Sequence, residues 1–390
     1  MDAPEGNARK KATSMPGRWR SIARKALLLG GSVLVSLVLG EAAVRLVTPQ
    51  RLVRGYFAAD PELGNVTRAN QRLFDEGSVS SYHVRTNRMG FRMDDEVDFS
   101  PARRRVLVVG DSYVFGWGVE IEDSFFARVD RGLRNLLPSV QLLNAGVGAY
   151  STGHVYKTLV RADALDLCAA VYFMNSNDLA DNLATGVDYR VTSYRRGSDG
   201  SIELKDELVY SPMKRFLFTH TPYGWLNQHS HLFILVKRFA TRAPRQAGAP
   251  NRASGGPAFG LDPDSLEASE LAIAVTLAHA ERLQRFAVRR GLPLLVVWIP
   301  AWTELFRPES AVNEIFRELK ESLEASNGFT FLDPLPQMND SLDARGLELL
   351  DIFLPDGEPV GHFNRLGNEI YARAVEDEVI RFVRDTCTGP

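Results

Sequence analysis

The sequence predicts an α/β fold with a doubly wound parallel sheet, preceded by one apolar N-terminal helix. Short apolar runs recur along the chain, and each is followed by a stretch in which apolar residues have helical spacing. Strands that alternate with helices in this way form a parallel sheet covered on both faces. The chain has 390 residues, 45% of them hydrophobic and 24% charged, so it can form one large domain with appendages.

The first element is an uncharged apolar run from Ala26 to Gly40, which reaches the ~20 residues of a membrane span when it is extended to Val47. The tail before it, residues 1–25, is basic. Because basic flanks stay on the cytoplasmic side, we expect a single-pass anchor in the inner or cell membrane, with the rest of the chain periplasmic or extracellular. The alternatives are a signal peptide cleaved near Ala42 and a buried core helix, which the basic tail disfavours.

After the predicted anchor, residues 26–47, the chain divides into a membrane-proximal segment and a large domain. The segment, residues 48–104, has no assigned element beyond a turn at Thr86–Arg92, and the domain covers residues 105–390. Its predicted strands are Val106–Val109, Val140–Leu143, Ala169–Met174, Leu294–Ile299 and Phe329–Leu332, and its predicted helices are Phe125–Leu137, Thr152–Leu165, Leu266–Arg290, Glu309–Ala325 and Leu366–Arg384. Five such strands make a flavodoxin-like sheet, which binds ligands outside the carboxyl ends of its strands.

An insertion over residues 184–262 interrupts the alternation of strands and helices. It contains a predicted hairpin around Gly197-Ser198-Asp199-Gly200 and a loop rich in Pro, Gly and Ala at Ala243–Gly260. The insertion either shapes the choice of substrate or is a solvated surface excursion, and the sequence favours neither.

Small and polar residues follow the first three predicted strands. They are Gly110-Asp111-Ser112, the stretch Asn144–Thr152 and Asn175-Ser176-Asn177-Asp178. Because the carboxyl ends of parallel strands meet at one edge, we expect a serine hydroxyl, close backbone N–H groups and an amide side chain to lie together there. Each motif alone is a weak signal, since these residue types are also common in turns and helix caps.

His362 lies directly before the last predicted helix, in the stretch from Asp356 to Asn364. It could take the proton of Ser112 Oγ as a general base and later return that proton to the leaving group. An isolated histidine is more often a surface or capping residue. The order of the four pieces along the chain is what favours the catalytic interpretation.

These four pieces, in this order, resemble the SGNH/GDSL family of serine hydrolases and their O-acyltransferase relatives. The resemblance covers roughly Asn87 to Arg384, and it implies a flavodoxin-like sheet and no cofactor. It implies Ser112 as the nucleophile and His362 as the base. Three oxyanion donors are implied as well: the backbone N–H groups of Ser112 and Ala149 and the side chain of Asn177.

The chain departs from the family pattern in its second and third motifs. The second motif has Ala149 where the family has glycine, and its N–H remains usable as a donor if its φ stays negative. Gly148 beside it could take over the close approach to the ligand. The third motif begins with Asn175 in place of glycine, which should leave Asn177 usable.

The departure beside the histidine concerns the acid of the triad. The family often has an aspartate three residues before the histidine, and this chain has Pro359 there. Asp356 or Glu358 could orient the imidazole instead, and we favour Asp356. A Ser–His dyad without an acid is the remaining alternative.

The predicted function is that of a serine ester hydrolase, similar to esterases and deacetylases, on an acyl ester such as an acetylated envelope glycan. An O-acyltransferase that uses the same residues and a catalytically silent scaffold protein are the alternatives. The net charge of -2 does not attract nucleic acid, so we expect no nucleic acid partner. We expect no metal site, because the chain has only two cysteines and the spacing of His220, His229 and His231 matches none. The sequence leaves open the oligomeric state and whether Cys168 bonds Cys387, near a C-terminus that we expect to fray.

Overall fold

The structure, a computed structural model, describes residues 17–50, 52, 55–77, 79–183, 191–209, 212–240, 266–326, 328–357 and 360–388. The predicted loop Ala243–Gly260 lies outside the described residues. The chain divides into two compact units, Met1–Val53 with His220–Gln246 and Arg54–Thr219 with Ala247–Pro390. The second unit contains the sheet.

The described strands are β1 (Phe57–Asp60), β2 (Gly64–Thr67), β3 (Arg72–Glu76), β4 (Ser81–Arg85), β5 (Arg104–Gly110), β6 (Val140–Asn144), β7 (Leu167–Asn175), β8 (Thr192–Arg196), β9 (Ile202–Asp206), β10 (Leu294–Ile299) and β11 (Thr330–Leu332). The described α-helices are α1 (Gly17–Val47), α2 (Ser112–Phe115), α3 (Phe125–Leu136), α4 (Thr152–Arg161), α5 (Asn177–Leu183), α6 (Pro212–His220), α7 (Tyr223–His229), α8 (His231–Ala240), α9 (Leu266–Arg290), α10 (Trp302–Phe306), α11 (Val312–Glu324), α12 (Leu335–Arg345), α13 (Leu349–Ile352) and α14 (Arg365–Cys387).

The central sheet has five strands in the order β11-β10-β7-β5-β6, and each adjacent pair is parallel. Numbered along the chain, these strands lie in the order 2-1-3-4-5, so the predicted flavodoxin-like sheet is confirmed. The order reverses between β5 and β7, whose carboxyl ends therefore flank the crevice in which such sheets bind ligands.

Both faces of the sheet are covered by helices because successive strand residues point to opposite sides. From β5, Val106 and Val108 join the core beneath α3 and α14, whereas Leu107 and Val109 join the core beneath α4, α9 and α11. This explains why the strands appear in the sequence as continuous apolar runs and not as an alternating pattern.

A disulfide joins Cys168 in β7 to Cys387 in the last turn of α14. The sequence left this bond open. The expectation that the chain frays at Cys387 was wrong, because α14 continues to that residue and its side chain is buried. The bond ties the C-terminal helix to the strand in the middle of the sheet.

The membrane-proximal segment, which the sequence pattern left unassigned, forms two antiparallel hairpins, β1–β2 and β3–β4. A turn follows at Thr86–Arg92, as expected, with Asn87 Oδ1 accepting the N–H groups of Met89 (2.9 Å) and Phe91 (3.1 Å). Arg92 at its end is fully buried and donates to the carbonyls of Phe115 (2.6 Å) and three further residues. The segment thereby reaches the chain directly after the first sheet strand.

The N-terminal helix α1 includes a 24-residue stretch, Arg24–Val47, that is long and apolar enough to cross a membrane. An 18-residue window within it has a mean hydropathy of 2.0, and 6% of that window is buried. Within the same unit, the Glu41 carboxylate accepts hydrogen bonds from Ser230 Oγ (2.7 Å) and from the N–H groups of His231 (2.9 Å) and Leu232 (2.9 Å). Glu41 therefore caps the N-terminus of α8, where backbone N–H groups need acceptors.

Candidate active site

The candidate nucleophile Ser112 is the first residue of α2, directly after β5. Gly110 has a φ of +156°, and a Cβ there would lie 2.7 Å from the Phe173 carbonyl oxygen, so the turn requires glycine. Asp111 caps the helix by accepting the N–H of Tyr113 (2.8 Å). This turn leaves Ser112 partly exposed at the carboxyl edge of the sheet.

The candidate base His362 is held by backbone pairing with the residues that follow α13. Its carbonyl accepts the N–H of Leu354 (2.7 Å), and the N–H of Gly361 donates to the Leu354 carbonyl (3.0 Å). Two residues later, Asn364 caps α14 with its side chain. His362 therefore lies on a short loop that is held by the pairing with Leu354 on one side and by the Asn364 cap on the other.

The structure brings Ser112, His362 and Asp356 into one chain of hydrogen bonds. Ser112 Oγ lies 2.7 Å from His362 Nε2, and His362 Nδ1 lies 2.6 Å from Asp356 Oδ2. Asp356 Oδ1 also accepts the backbone N–H of His362 (2.9 Å). Glu358, the alternative acid, and Pro359 lie outside the described residues. An acid thus contacts the imidazole although the residue three positions before it is a proline.

The electrostatics of Asp356 are consistent with an ionised partner for the imidazole. Partial burial opposes ionisation, but the hydrogen bonds and charge of His362 outweigh it and lower the pKa of Asp356 below its ordinary value. Asp356 therefore stays negative near neutral pH. A carboxylate at Nδ1 holds that nitrogen as the donor and leaves Nε2 free to accept the serine proton.

The loop between β6 and α4, residues 145–151, comes within contact distance of the serine. A Cβ at Gly148 would lie 4.0 Å from Ser112 Cβ. Ala149 has a φ of +66°, so the condition of a negative φ at this position is not met. The loop imposes the left-handed conformation that glycine adopts readily, so alanine keeps the backbone geometry at a cost in strain.

Asn177 begins α5 after β7, and its side chain points to the first motif. Asn177 Nδ2 donates to Asp111 Oδ2 (3.1 Å), and the Asn177 N–H donates to Asn175 Oδ1 (3.0 Å). Asn175, which replaces the family's glycine, therefore supports Asn177. The second hydrogen of the Asn177 amide remains for a ligand at Ser112.

Two buried carboxyl groups brace these loops. Burial raises the pKa of Asp111, against the opposing effects of the Tyr113 N–H, His362 and Asn177. Burial and the charge of Asp111 raise the pKa of Asp178 well above its ordinary value. Asp178 Oδ2 accepts the Tyr172 hydroxyl (2.7 Å) and the Asn175 N–H (3.1 Å), which fixes the third motif against the sheet.

The aromatic residues beside the imidazole were missed by the sequence interpretation. The Tyr113 ring lies 5.1 Å and the Trp117 ring 5.7 Å from the ring of His362, and the Tyr113 hydroxyl donates to the Gly361 carbonyl (2.8 Å). Tyr113 could have been found from the sequence, because it directly follows the predicted nucleophile. Trp117 gave none, because its contact depends on the loop after α2.

Three other histidine and tryptophan side chains that stand out in the sequence are packed in the interior of the fold. His154 and His279 are buried on helices, and Trp298 is fully buried and donates to Glu304 Oε2 (2.9 Å). Over the part of the chain that the structure describes, no group of three or more His, Cys, Asp or Glu side chains is placed to hold a metal ion.

No family model matches the chain, and no curated protein matches it in sequence. Solved structures do match. TesA is 11% identical, with a TM-score of 0.39 over 72% of this chain and 99% of its own. A lipolytic protein of the G-D-S-L family from Desulfitobacterium hafniense DCB-2 is 11% identical, with a TM-score of 0.36 over 70% and 99%. A two-domain esterase active on acetylated mannans is 8% identical, with a TM-score of 0.38 over 72% and 50%.

The chain resembles G-D-S-L lipolytic proteins. The solved structures found by comparison include two lipolytic proteins of the G-D-S-L family. At these identities and TM-scores the similarity supports no conclusion about chemistry, which rests on this chain's own residues.

Proposed function

We propose that this chain is a serine ester hydrolase, with Ser112 as nucleophile, His362 as general base and acid, and Asp356 as the residue that orients the imidazole. The observation that carries the proposal is the continuous hydrogen-bonded path from Ser112 Oγ to Nε2 (2.7 Å) and from Nδ1 to Asp356 (2.6 Å). A serine, an imidazole and a carboxylate in this arrangement are the parts of a catalytic triad.

In the proposed first half-reaction, Ser112 Oγ attacks the ester carbonyl carbon while its proton moves to His362 Nε2. The carbon–oxygen bond to the alcohol then breaks, and the departing oxygen takes that proton from Nε2. In the second half-reaction, water attacks the acyl-serine, gives one proton to Nε2 and releases the carboxylic acid, while Ser112 regains its proton. Asp356 stabilises the imidazolium in both halves.

The tetrahedral intermediates carry negative charge on the former carbonyl oxygen, which needs hydrogen-bond donors. We propose the backbone N–H groups of Ser112 and Ala149 and Nδ2 of Asn177. Losing one such donor typically costs ~10²–10³ in rate. The bond from Asn177 to Asp111 (3.1 Å) supports this role, since it orients the amide before substrate binds.

We further propose that the site works outside the cytoplasm on an acyl ester of an envelope glycan. The apolar helix α1 with a basic tail supports membrane attachment with the sheet unit on the far side. The Cys168–Cys387 disulfide supports an oxidising compartment, because such bonds are rare in the cytosol.

Labelling with a fluorophosphonate tests the proposed nucleophile, because this reagent reacts with activated serines. We expect the full-length protein in detergent to be labelled, and Ser112→Ala and His362→Ala to lose labelling while they keep the wild-type thermal unfolding. Folded wild-type protein without label would contradict the proposal. Equal labelling of wild type and Ser112→Ala would move the nucleophile to another residue.

A further inference from the structure

The helix α8 of the insertion has an exposed apolar face. Leu232, Val236 and Phe239 are four and three residues apart, so they lie along one side of the helix. Leu232 is half-buried, whereas Val236 is 56% exposed and Phe239 62% exposed. Ile234, on the opposite side, is buried. Exposed apolar side chains grouped on one face of a helix indicate an interaction surface.

The start of α8 lies where the uncharged part of α1 ends. Glu41, the first charged residue after the run Ala26–Gly40, accepts the N–H groups of His231 and Leu232 (both 2.9 Å). A Cβ built on Gly40 would lie 3.2 Å from Leu232 Cδ2, so the apolar face of α8 begins against the last residue of the uncharged run. Because a carboxylate is costly in hydrocarbon, this junction belongs at the boundary between the bilayer and the outer water phase.

The last turn of α8 also stays near the outer end of α1. Gln50, which follows α1, donates its N–H to His231 Nδ1 (2.8 Å) and accepts the Arg238 side chain at Oε1 (3.0 Å). These contacts and the Glu41 cap tie both ends of α8 to the outer end of α1. The helix therefore lies at the level of the membrane surface when α1 spans the membrane.

An exposed tryptophan lies on α7, which belongs to the same compact unit. Trp225 is 60% exposed, and its ring stacks on His229 with centroids 4.9 Å apart. The His229 carbonyl accepts the Arg45 side chain (2.6 Å), so this ring is also held near the outer end of α1. Tryptophan is enriched at the level of lipid headgroups, because its ring is apolar and its N–H is polar.

We propose that α8 is an interfacial helix of the same bilayer that α1 spans, with Leu232, Val236 and Phe239 facing the acyl chains and Trp225 lying among the headgroups. The inference rests on the membrane attachment in the proposed function and adds a second lipid contact to it. The apolar face of such a helix is buried ~5–10 Å into the boundary between headgroups and acyl chains. This part of the insertion is then a lipid-binding element.

Spin labelling tests the lipid contact, because the only two cysteines of the chain are joined in a disulfide and a third can be labelled alone. Val236→Cys would carry a nitroxide in the full-length protein, reconstituted in vesicles of phosphatidylethanolamine and phosphatidylglycerol. Collisions with oxygen, which concentrates in the bilayer, are compared with collisions with a nickel chelate, which stays in water. We expect oxygen collisions to dominate and the label to lie ~5–10 Å below the lipid phosphates.

Two further labelled variants serve as references. Leu136→Cys is the matched control, since Leu136 is an apolar side chain of the sheet unit with a similar exposure of 66%, and its label should collide mainly with the nickel chelate. Leu34→Cys, on the uncharged run of α1, reports the anchor and should carry the deepest label. All three positions are exposed, so the labelled proteins should keep the wild-type thermal unfolding.

Two results would overturn the inference and leave the anchor in place, with the Leu34→Cys label still in the bilayer. In one, the Val236→Cys label is as accessible to the nickel chelate as the Leu136→Cys label. In the other, it is shielded from both reagents, because a protein surface such as a second copy of the chain covers α8. A Leu34→Cys label that also collides mainly with the nickel chelate would overturn the membrane attachment and the inference together. Fluorophosphonate labelling reports the proposed hydrolase separately.

Discussion

Asp356 contacts His362 twice, through Oδ1 to the backbone N–H (2.9 Å) and through Oδ2 to Nδ1 (2.6 Å). Six positions separate the two residues, and Leu354, two residues before Asp356, pairs with Gly361 and His362. The carboxylate therefore orients the imidazole and the loop that carries it. A carboxylate with a lowered pKa is suited to stabilising the imidazolium that forms when Ser112 gives up its proton.

Replacing this carboxylate should separate its role from that of the other nearby acid. We expect Asp356→Asn to lower kcat for ester cleavage by ~10²–10⁴-fold with a small change in KM, because the amide cannot hold the tautomer or stabilise the imidazolium. Glu358→Gln is the matched control and should retain kcat within about twofold of wild type. Steady-state kinetics with phenyl acetate measure both. A loss in Glu358→Gln with none in Asp356→Asn would reverse the assignment.

Ala149 illustrates a cost that functional loops accept. A left-handed φ costs an L-residue on the order of 1 kcal/mol or more. Ala149 holds that conformation because the turn around it is packed against the β1–β2 hairpin. The packing is made by Val147 and Tyr150, which are buried on either side of Ala149 in the sequence.

At the scale of elements, α2 is a four-residue helix that could not persist alone. Its end is held by Asn144 Nδ2, which donates to the Val114 carbonyl (2.9 Å), and by the buried Arg92 guanidinium at the Phe115 carbonyl (2.6 Å). Burial lowers the pKa of Arg92 to about 10, so the group stays charged at neutral pH and suits carbonyls at a helix C-terminus. The serine is thus positioned from outside its own helix.

The long helix α9 buries His279, and burial lowers the pKa of this histidine to about 4. The nearby charges act in opposite directions, with Arg282 lowering the pKa and Asp206 raising it. Between pH 4 and 6.5 the unfolded chain binds a proton at this histidine that the folded chain does not. Stability therefore falls as the pH drops through that window.

We expect this histidine to contribute a loss of about 2 kcal/mol in the free energy of unfolding between pH 7 and pH 5. His279→Gln keeps a neutral polar side chain and should remove that part of the pH dependence. Urea unfolding of both proteins at the two pH values measures the difference. If wild type and His279→Gln lose the same free energy of unfolding between pH 7 and pH 5, then the histidine is protonated in the folded chain without a penalty.

At the scale of the whole molecule, α1 and part of the insertion, α7 and α8, belong to one compact unit. Glu41, near the end of the apolar stretch, accepts three hydrogen bonds at the start of α8 and one from Arg45 (2.7 Å). A signal peptidase that cut near Ala42 would remove this cap and leave the N–H groups of His231 and Leu232 without it. We therefore expect the N-terminal helix to be retained.

Intact mass spectrometry of protein purified from membranes tests this expectation. We expect a mass that still includes the residues of α1. Extraction should require detergent and not high salt, since the attachment is an apolar span and not a charged surface. A soluble chain shortened at the small residues after Glu41 would mean a cleaved signal peptide.

The sequence by itself determined the parallel sheet, its five strands and three of its strand-end motifs. This was possible because buried parallel strands are continuous apolar runs, and because strand ends of one sheet necessarily meet at one edge. It also indicated Ser112, Asn177 and His362 as candidates, since each directly follows or precedes a strong element. The choice of Asp356 was a preference among alternatives.

Only the tertiary structure decided the contacts between segments far apart in the chain. Three contacts are of this kind: the Gly361–Leu354 pairing near Asp356, the ring of Phe57 beside Gly148, and the cap that Glu41 provides at α8. Local patterns carry no information on such contacts, because they depend on loop closures and packing between elements. The positive φ of Ala149 is of the same kind: the surrounding turn, and not the residue's own preference, decided it.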